Sequence, residues 1–453
     1  MGGRVIRVFG RSTSNGVSVE LRKPYEISYP GKVWSSLSAN TRQWLVDTLT
    51  YLRFSGYACI PKNQNWQFST NRPLGQKEFD ANVEQCLYAI AFSEKQDFRE
   101  LIRNFRSAQF KFRSDNETGP DEKKDFEEGG VLAISLGKDS LLTYGVMKEL
   151  GMKRSLVFVK DCEEEEDFEV LHKKELLKAF EKDQGDRIHM MYDNLDGVTK
   201  VKSLNRLGFI DINGLNAMNS YLFMLMPFVY GSGLNNVIFG NEQNFNNHSL
   251  DKHGNILHPS YDQSSEHMRI QSRLMKRITG NVGVLSLVEP LYNIAEYKVL
   301  YGRYPSFGKY HVSCPHEVHK SRINRWCHGC PECAKGFLYM AAAGKDPRMA
   351  GFIRSMFNKK HMNHFTLFNP DNQHTYTRPA AVKEEQMFAF YLAHRNGYRG
   401  DLMDAFKAKF LKEAVAREDE FHKKFLSVHP SLTMPQKLFR QVKSIYDEEL
   451  GKD

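Results

Sequence analysis

The tightest constraint on this chain is one junction. Val131–Ile134, a short unbroken apolar run, passes straight into Ser135-Leu136-Gly137-Lys138-Asp139-Ser140. Leu141–Leu150 then repeats apolar residues at helical spacing and closes at Gly151. The apolar run reads as a buried strand, the six residues as a tight turn, and Leu141–Leu150 as a helix. A helix N-terminus reached this way points backbone N–H groups outward at the positive end of the helix dipole, which makes the turn an anion site. Gly137 lets backbone approach a phosphate closely. Lys138 can neutralise phosphate oxygens, Asp139 can hold a magnesium ion that bridges them, and Ser135 and Ser140 offer hydroxyl donors. The turn is not the kinase-type P-loop, because Leu132 stands where the first glycine of Gly-x-x-x-x-Gly-Lys-Ser/Thr belongs and Asp139 where Ser or Thr belongs. The Rossmann Gly-x-Gly-x-x-Gly is also absent. The competing reading is an ordinary strand–turn–helix with Ser135 as N-cap.

Beyond the junction, strands and helices alternate. Ser155–Val159, Ile188–Tyr192 and Asn236–Phe239 read as strands, and Glu169–Phe180 and the long apolar Asn216–Tyr230 as helices. That alternation predicts an α/β fold, a doubly wound parallel sheet with helices on both faces. Ahead of it, Val5–Leu21 alternates about the turn Ser14-Asn15-Gly16 as a hairpin. A helix is expected near Ser38–Phe54, and another apolar-periodic segment over Glu78–Phe105. The polar stretch Arg113–Gly130 reads as a linker. After about Lys345 the pattern is helical, over Glu384–His394, Asp401–Phe425 and Pro435–Leu450. Three units are expected: an α+β N-terminal domain over 1–127, a catalytic domain over 128–345 and a helical C-terminal region over 346–453. The acidic run Asp161–Asp167 reads as a solvated loop or helix start.

The chain has 453 residues, 41% of them hydrophobic, enough to bury more than one core. No stretch reaches the ~18 uninterrupted apolar residues of a membrane helix. The segment Met1–Gly16 lacks the apolar stretch of a signal peptide, so a cytoplasmic location is expected. Lys plus Arg number 63 against 54 Asp plus Glu, a net charge of +9. The basic residues are scattered, which suits an anionic small substrate better than a nucleic acid.

Four of the seven cysteines fall close together: Cys314, Cys327, Cys330 and Cys333. Two overlapping C-x-x-C turns plus one more distant thiolate can surround Zn²⁺ tetrahedrally, and a closed set of four thiolates is structural. An iron–sulfur centre, or mixed ligation using His316, His319 or His328, are the alternatives. Cys59, Cys86 and Cys162 read as buried small hydrophobes. Between the two motifs, Asp211–Asn216 precedes the long helix. The strand Val237–Phe239 then delivers Gly240, Asn241 and Glu242, with His248 further on. Polar residues at the carboxyl end of a parallel strand face the ligand crevice. Glu289, in Leu287–Leu291, reads as another strand-end carboxylate, functional or simply solvated.

The six-residue turn resembles the Ser-Gly-Gly-Lys/x-Asp-Ser loop of the PP-loop ATP pyrophosphatase superfamily, with Leu136 in place of a glycine. Taken with the Gly-Asn-Glu strand end and the cysteine cluster, the chain is similar at superfamily level to 7-cyano-7-deazaguanine synthase. It resembles more closely the MurL family, ATP-dependent epimerases of UDP-N-acetylmuramoyl-L-alanyl-L-glutamate. The matching elements are Gly137-Lys138-Asp139-Ser140, Asn241-Glu242, Glu289-Pro290-Leu291 and Arg325-Trp326-Cys327-His-Gly-Cys330-Pro331-Glu332-Cys333, in that order over most of the chain. The helical C-terminus matches in general character.

The resemblance implies a PP-loop fold, with ATP, Mg²⁺ and a structural Zn²⁺ as cofactors and a UDP-muramoyl dipeptide as substrate. It implies adenylation of the terminal carboxylate, release of AMP and pyrophosphate, and inversion of the terminal glutamate. Ser135, Gly137, Lys138, Asp139, Ser140, Gly240 and Asn241 would hold the nucleotide. Lys138, Asp139, Glu242 and His248 would serve the chemistry, with His248, Glu242 and His311 as candidate bases. The alternatives are another adenylating enzyme that makes a nitrile or amide, a tRNA-modifying enzyme, and an inactive nucleotide-binding module.

Overall fold

A computed structural model of the protein describes residues 5–20, 24–60, 64–93, 96–121, 125–160, 168–194, 215–250, 254, 256–314, 325–369 and 380–452. The N-terminal part runs β1 (Val5–Ser12), β2 (Gly16–Glu20), β3 (Pro24–Ser28), α1 (Gly31–Ser35), α2 (Ala39–Phe54), β4 (Asn65–Phe68), β5 (Asn71–Pro73), α3 (Gln76–Ser93), α4 (Phe98–Ser107), β6 (Gln109–Lys111) and β7 (Ser114–Thr118). The middle runs β8 (Gly130–Ala133), α5 (Lys138–Glu149), β9 (Arg154–Lys160), α6 (Phe168–Gln184), β10 (Ile188–Asp193), α7 (Ala217–Ser232), β11 (Asn236–Phe239), β12 (Ser249–Leu250), β13 (Ile256–Leu257), α8 (Ser265–Thr279), β14 (Gly283–Ser286), α9 (Asn293–Arg303), α10 (Pro305–Gly308) and α11 (Pro331–Ala342). The rest is helical: α12 (Ala380–Arg395), α13 (Asp401–Lys409), α14 (Leu411–Ala416), α15 (Glu418–Phe425) and α16 (Gln436–Leu450).

One ten-stranded sheet organises the molecule, in the order β14-β11-β8-β9-β10-β3-β2-β1-β4-β6. From β14 to β10 every pairing is parallel. The protein is therefore mixed α/β with a large, mostly parallel central sheet. Alternation along the strands explains why both faces are covered. Leu132, Leu156, Phe158, Ile238 and Leu285 enter one core with α5 and α9, while Val131, Val157, Val237 and Val284 enter the other with α2 and α7. A strand buried on both faces must be apolar throughout, which is what Val131–Ile134 shows.

The hairpin forms as the sequence predicts, with Ser12 opposite Val17. Its strands continue the same sheet, because Tyr192 and Asp193 of β10 pair antiparallel with Ser28 and Ile27 of β3. A buried Arg53–Asp193 ion pair at 2.6 Å reinforces that seam. Helix α2 starts where its cap lies, the Ser38 hydroxyl accepting from Thr41 N at 3.1 Å. Helix α5 ends at Gly151, whose φ of 64° admits the left-handed turn a side chain resists.

Three sequence expectations need correction. Glu78–Phe105 is two helices, α3 and α4. Part of the expected linker is strand β7, which pairs in parallel with β5; it reads as linker because its side chains face water on both sides. Asp401–Phe425 is three helices, broken at Phe410 and Arg417 without a proline or glycine to announce it. The acidic run Asp161–Asp167, with Cys162, lies outside the described residues.

Candidate functional site

In order of appearance, β8, β9 and β10 run outward from the middle of the parallel region, and the chain then returns to add β11 and β14 on the other side of β8. The direction of winding thus reverses between β8 and β11. At such a switch point the loops after the two strands part and leave a crevice at their carboxyl ends. The loop after β8 is Ile134–Gly137, leading into α5, and the loop after β11 carries Gly240, Asn241 and Glu242. A Cβ on Gly240 would lie 2.7 Å from the Cβ of Asp139, so only glycine lets the two loops close to this distance.

Lys138 is the centre of the crevice. Its ammonium donates to Glu242 Oε2 at 2.7 Å, to Glu296 Oε2 at 2.7 Å and to Asp139 Oδ1. Asn293 donates to Glu242 Oε1 at 2.8 Å, and Asn244 bridges Glu242 to Glu385. Glu385, on α12, also accepts from Ile294 N at 3.0 Å. One cation thus faces three carboxylates. Burial, then the charge on Asp139, pushes the Glu296 carboxyl well above its ordinary range, against the pull of Lys138. Burial likewise raises Glu242. Burial is the largest influence on Asp139 and would raise it, but the charge of Lys138 together with hydrogen bonds to the carboxylate holds that carboxyl below its usual range. The ammonium loses hydration, yet Asp139, Glu242 and Glu296 together raise its pKa. Three carboxylates around one ammonium leave an excess of two negative charges when all are ionised, which favours the protonated form of Glu296, the fully buried one. Its second oxygen is buried with no partner among the described residues. The carboxylate oxygens of Asp139, Glu242 and Glu296 lie within 4.8 Å of one another, a hard donor set suited to an oxygen-loving cation.

Lys138, Asp139, Glu242, Asn244 and Asn293 open into a cavity of about 360 Å³, whose lining also includes Ser313, Glu332, Lys335 and Tyr339. Glu332, Lys335 and Tyr339 occupy one face of α11, and Lys335 pairs with Glu332 at 2.6 Å.

The other expected site residues divide. Gly137 is the cap of α5, a place the competing reading gave to Ser135. The Ser135 hydroxyl accepts from Gly137 N at 3.3 Å and the Ser140 hydroxyl donates to Gly137 O at 3.0 Å, so both brace the turn itself. Leu136, at the departure from the family loop, has φ 61° and is fully buried. Asn241 is buried, its carbonyl accepting from the Ser286 hydroxyl at 2.8 Å. His248 is not part of the cavity lining; its ring lies 6.0 Å from that of His258. His311 is fully buried and burial pulls its pKa down to about 3. Glu289 is not solvated: it is buried and accepts from the backbone N–H groups of Leu432 and Thr433, tying the segment before α16 to the end of β14. Asp211–Gly214 lie outside the described residues. Glu296, Asn293, Asn244 and Glu385 are absent from the sequence expectations. The one local signal is a lone carboxylate among Ile294, Ala295, Tyr297, Val299 and Leu300 on α9.

The four clustered cysteines converge. Cys314 and Cys330 Sγ are 3.8 Å apart, Cys327 and Cys333 3.7 Å, Cys330 and Cys333 3.5 Å, and Cys314 and Cys333 3.5 Å. A tetrahedral ion with bonds of about 2.3 Å sets its sulfurs about 3.8 Å apart, whereas a disulfide needs about 2 Å. The site therefore suits a single metal ion such as zinc. His328 Nε2 accepts from Ile353 N at 3.2 Å, so that ring serves the backbone; His316 and His319 lie outside the described residues. Cys330 also caps α11, its sulfur accepting from Cys333 N at 3.4 Å. The four-cysteine cluster thus sits at the start of the helix that presents Glu332, Lys335 and Tyr339 to the cavity. Cys59 and Cys86 are buried, as expected of small hydrophobes.

No known family model and no curated protein matches this chain. Among the described residues no helix is long and apolar enough to cross a membrane.

Proposed function

We propose that the crevice binds ATP with Mg²⁺ and transfers its adenylyl group to a substrate carboxylate, releasing pyrophosphate. The substrate we propose is UDP-N-acetylmuramoyl-L-alanyl-L-glutamate, whose terminal glutamate is then inverted to D. The observation that carries the nucleotide half is the placement of Lys138, Asp139, Glu242 and Glu296 together at the switch point of the parallel sheet. Lys138 supplies a fixed cation for phosphate oxygens, and the three carboxylates supply the oxygens a divalent ion requires. Magnesium held there would neutralise the pyrophosphate leaving group. Gly137 leaves the start of α5 open to phosphate, and Lys335, paired with Glu332, is a second cation in the cavity lining.

The epimerase half rests on the sequence resemblance, and its chemistry is coherent. An ionised carboxylate leaves the neighbouring C–H hardly acidic, since a second negative charge would develop beside the first. Acylation by AMP removes that charge and makes the carbonyl an electron sink, so an ordinary side-chain base suffices. Of the three candidate bases, Glu242 lines the cavity. The Cys314, Cys327, Cys330 and Cys333 centre, read as zinc, has no open position and acts by holding α11. Incubation with the dipeptide substrate, ATP and Mg²⁺ should yield AMP and pyrophosphate. ADP and phosphate as the products would refute the assignment.

A further inference from the structure

Behind the cavity wall lies a chain of three polar side chains that the proposed chemistry leaves unused. The Tyr301 hydroxyl meets His311 Nδ1 at 2.8 Å, and His311 Nε2 meets the Ser313 hydroxyl at 2.9 Å. Tyr301 and His311 are buried, and Ser313 lines the cavity. The imidazole is wedged edge-to-face against Trp326, centroids 5.2 Å apart, and against Tyr297 at 5.6 Å, so the ring cannot turn freely.

Counting donors and acceptors gives the chain a direction. Buried inside an apolar wall, His311 is neutral and carries one N–H. Tyr301 has no other acceptor among the described residues, and a buried hydroxyl that fails to donate is costly. Its proton therefore goes to His311 Nδ1. The ring proton must then sit on Nε2, which donates to Ser313 Oγ. With one lone pair of Ser313 occupied, its own O–H points away from His311. What it meets is the phosphate turn: the Cβ that Gly137 lacks would lie 3.6 Å from Ser313 Oγ. Ser135 and Ser140 are bonded within the turn, so Ser313 is the hydroxyl at this spot whose proton remains for a ligand.

We propose that Ser313 is a ligand-binding residue that donates to an anionic phosphate oxygen seated on the Gly137 side of the turn. Tyr301 and His311 are positioning residues that fix the direction of its O–H. The inference rests on the ATP reading and deepens it. An oriented donor contributes more than a free hydroxyl, because no rotation has to be frozen when the anion arrives.

The test uses the full chain, with magnesium pyrophosphate and magnesium ATP as titrants in calorimetry. Ser313→Ala should weaken both by about tenfold, since a hydrogen bond to a charged group is lost. Ser313→Thr, which keeps the hydroxyl, should recover most of it. Tyr301→Phe should weaken both by about threefold although residue 301 touches no ligand, because His311 Nδ1 loses the hydrogen bond that fixes the ring's tautomer and orientation. Side-chain ¹⁵N NMR should find neutral His311 protonated on Nε2 in the wild type. Wild-type affinity retained in Ser313→Ala, or an Nδ1–H tautomer at His311, overturns the relay and leaves the ATP reading standing. A wild type that binds neither titrant overturns both. If Ser313→Ala does not fold, the tautomer and the Tyr301→Phe titration decide.

Discussion

Lys138 and Glu296 stand 158 positions apart in the sequence and 2.7 Å apart in the fold, and Glu296 is the fully buried one of the pair. A cation that already has Asp139 and Glu242 does not need a third carboxylate in a dry environment. The arrangement makes sense if a second cation joins it, displacing the proton that Glu296 otherwise holds. Binding of Mg²⁺ should therefore release close to one proton, and affinity should rise as pH rises, by up to about tenfold per unit. Calorimetry in two buffers of different ionisation enthalpy measures the proton directly. Glu296→Gln should abolish the release and weaken Mg²⁺ at least about tenfold. It should leave the metal-free protein as stable or more so, by about 1 kcal/mol, since a buried acid has been replaced by its neutral isostere.

The metal centre gives a second prediction. Each chain should carry one tightly held ion at Cys314, Cys327, Cys330 and Cys333, with zinc the expected element. Because the site organises the start of α11, its loss is a loss of folding energy and not only of rate. Cys330→Ser should cost at least about 3 kcal/mol in chemical denaturation. Chelation should change the fluorescence of Trp326, which is buried beside Cys327 and stacked on Phe352 at 4.2 Å. A metal-free preparation of unchanged stability would end this assignment.

Glu385 sets a pH dependence. Burial, then the charge on Glu242, pushes its carboxyl up from 4.5 to about 7, against the hydrogen bonds from Ile294 N and Asn244 and the pull of Lys138. A carboxyl whose pKa is higher folded than unfolded stabilises the fold at low pH. That contribution is complete below the unfolded pKa and is lost as pH climbs through about 4.5 to 7. The loss is about 3 kcal/mol at most, at about 1.4 kcal/mol per pKa unit. Glu385→Gln should flatten this part of the stability–pH curve and leave the variant the more stable protein at pH 8. Denaturant midpoints from pH 5 to pH 8, in the absence of Mg²⁺, provide the comparison.

What the sequence made legible was local or pairwise. The junction at Val131–Ser140 declares itself because strand, turn and helix are contiguous. Glu242 is found because polar residues after a parallel strand face the crevice. The four cysteines are found because their short spacing is a ligand pattern. Glu296 is hidden as the one carboxylate of its helix and Glu385 as one of an adjacent pair, Glu384-Glu385, that reads as a solvated face; only the topology brings α9 and α12 to the end of β11. Glu289 shows the opposite case: a strand-end position suggested chemistry or solvation, and the fold buries it with its oxygens accepting from the backbone N–H groups of 432 and 433. His248 follows the right strand, but the chain leaves the cavity before reaching it.

Leu136 separates two opposing terms. Its φ of 61° is a conformation that a side chain resists, by about 1–2 kcal/mol. Glycine, which the resembling family carries here, would relieve that strain. Yet the Leu136 side chain is fully buried in the core beneath the turn, and deleting such a side chain costs about 2–5 kcal/mol. Glycine also loses more chain entropy on folding, about 0.5–1 kcal/mol. Burial wins, so Leu136→Gly should destabilise the protein by about 2 kcal/mol despite matching the family pattern. An increase in the thermal midpoint of this variant would show that backbone strain dominates.

The last prediction concerns inversion itself. If the terminal carboxylate is adenylated and the α-proton is then removed and returned, that proton must exchange with solvent. In D₂O, with ATP and Mg²⁺ present, the dipeptide product should carry deuterium at the α-carbon of its terminal glutamate. Without ATP there should be none, because no candidate base can remove a proton beside an unactivated carboxylate. Lys138→Ala should abolish exchange together with AMP formation, since it takes away the cation that Asp139, Glu242 and Glu296 surround. Glu242→Gln should separate the two steps if Glu242 is the base: AMP continues to form, while deuterium incorporation falls by a factor of about 100 or more. Loss of both in Glu242→Gln would place that residue with the nucleotide and its metal instead. AMP formed from the dipeptide with no deuterium, and with the terminal residue still L, would leave an adenylating enzyme of another kind.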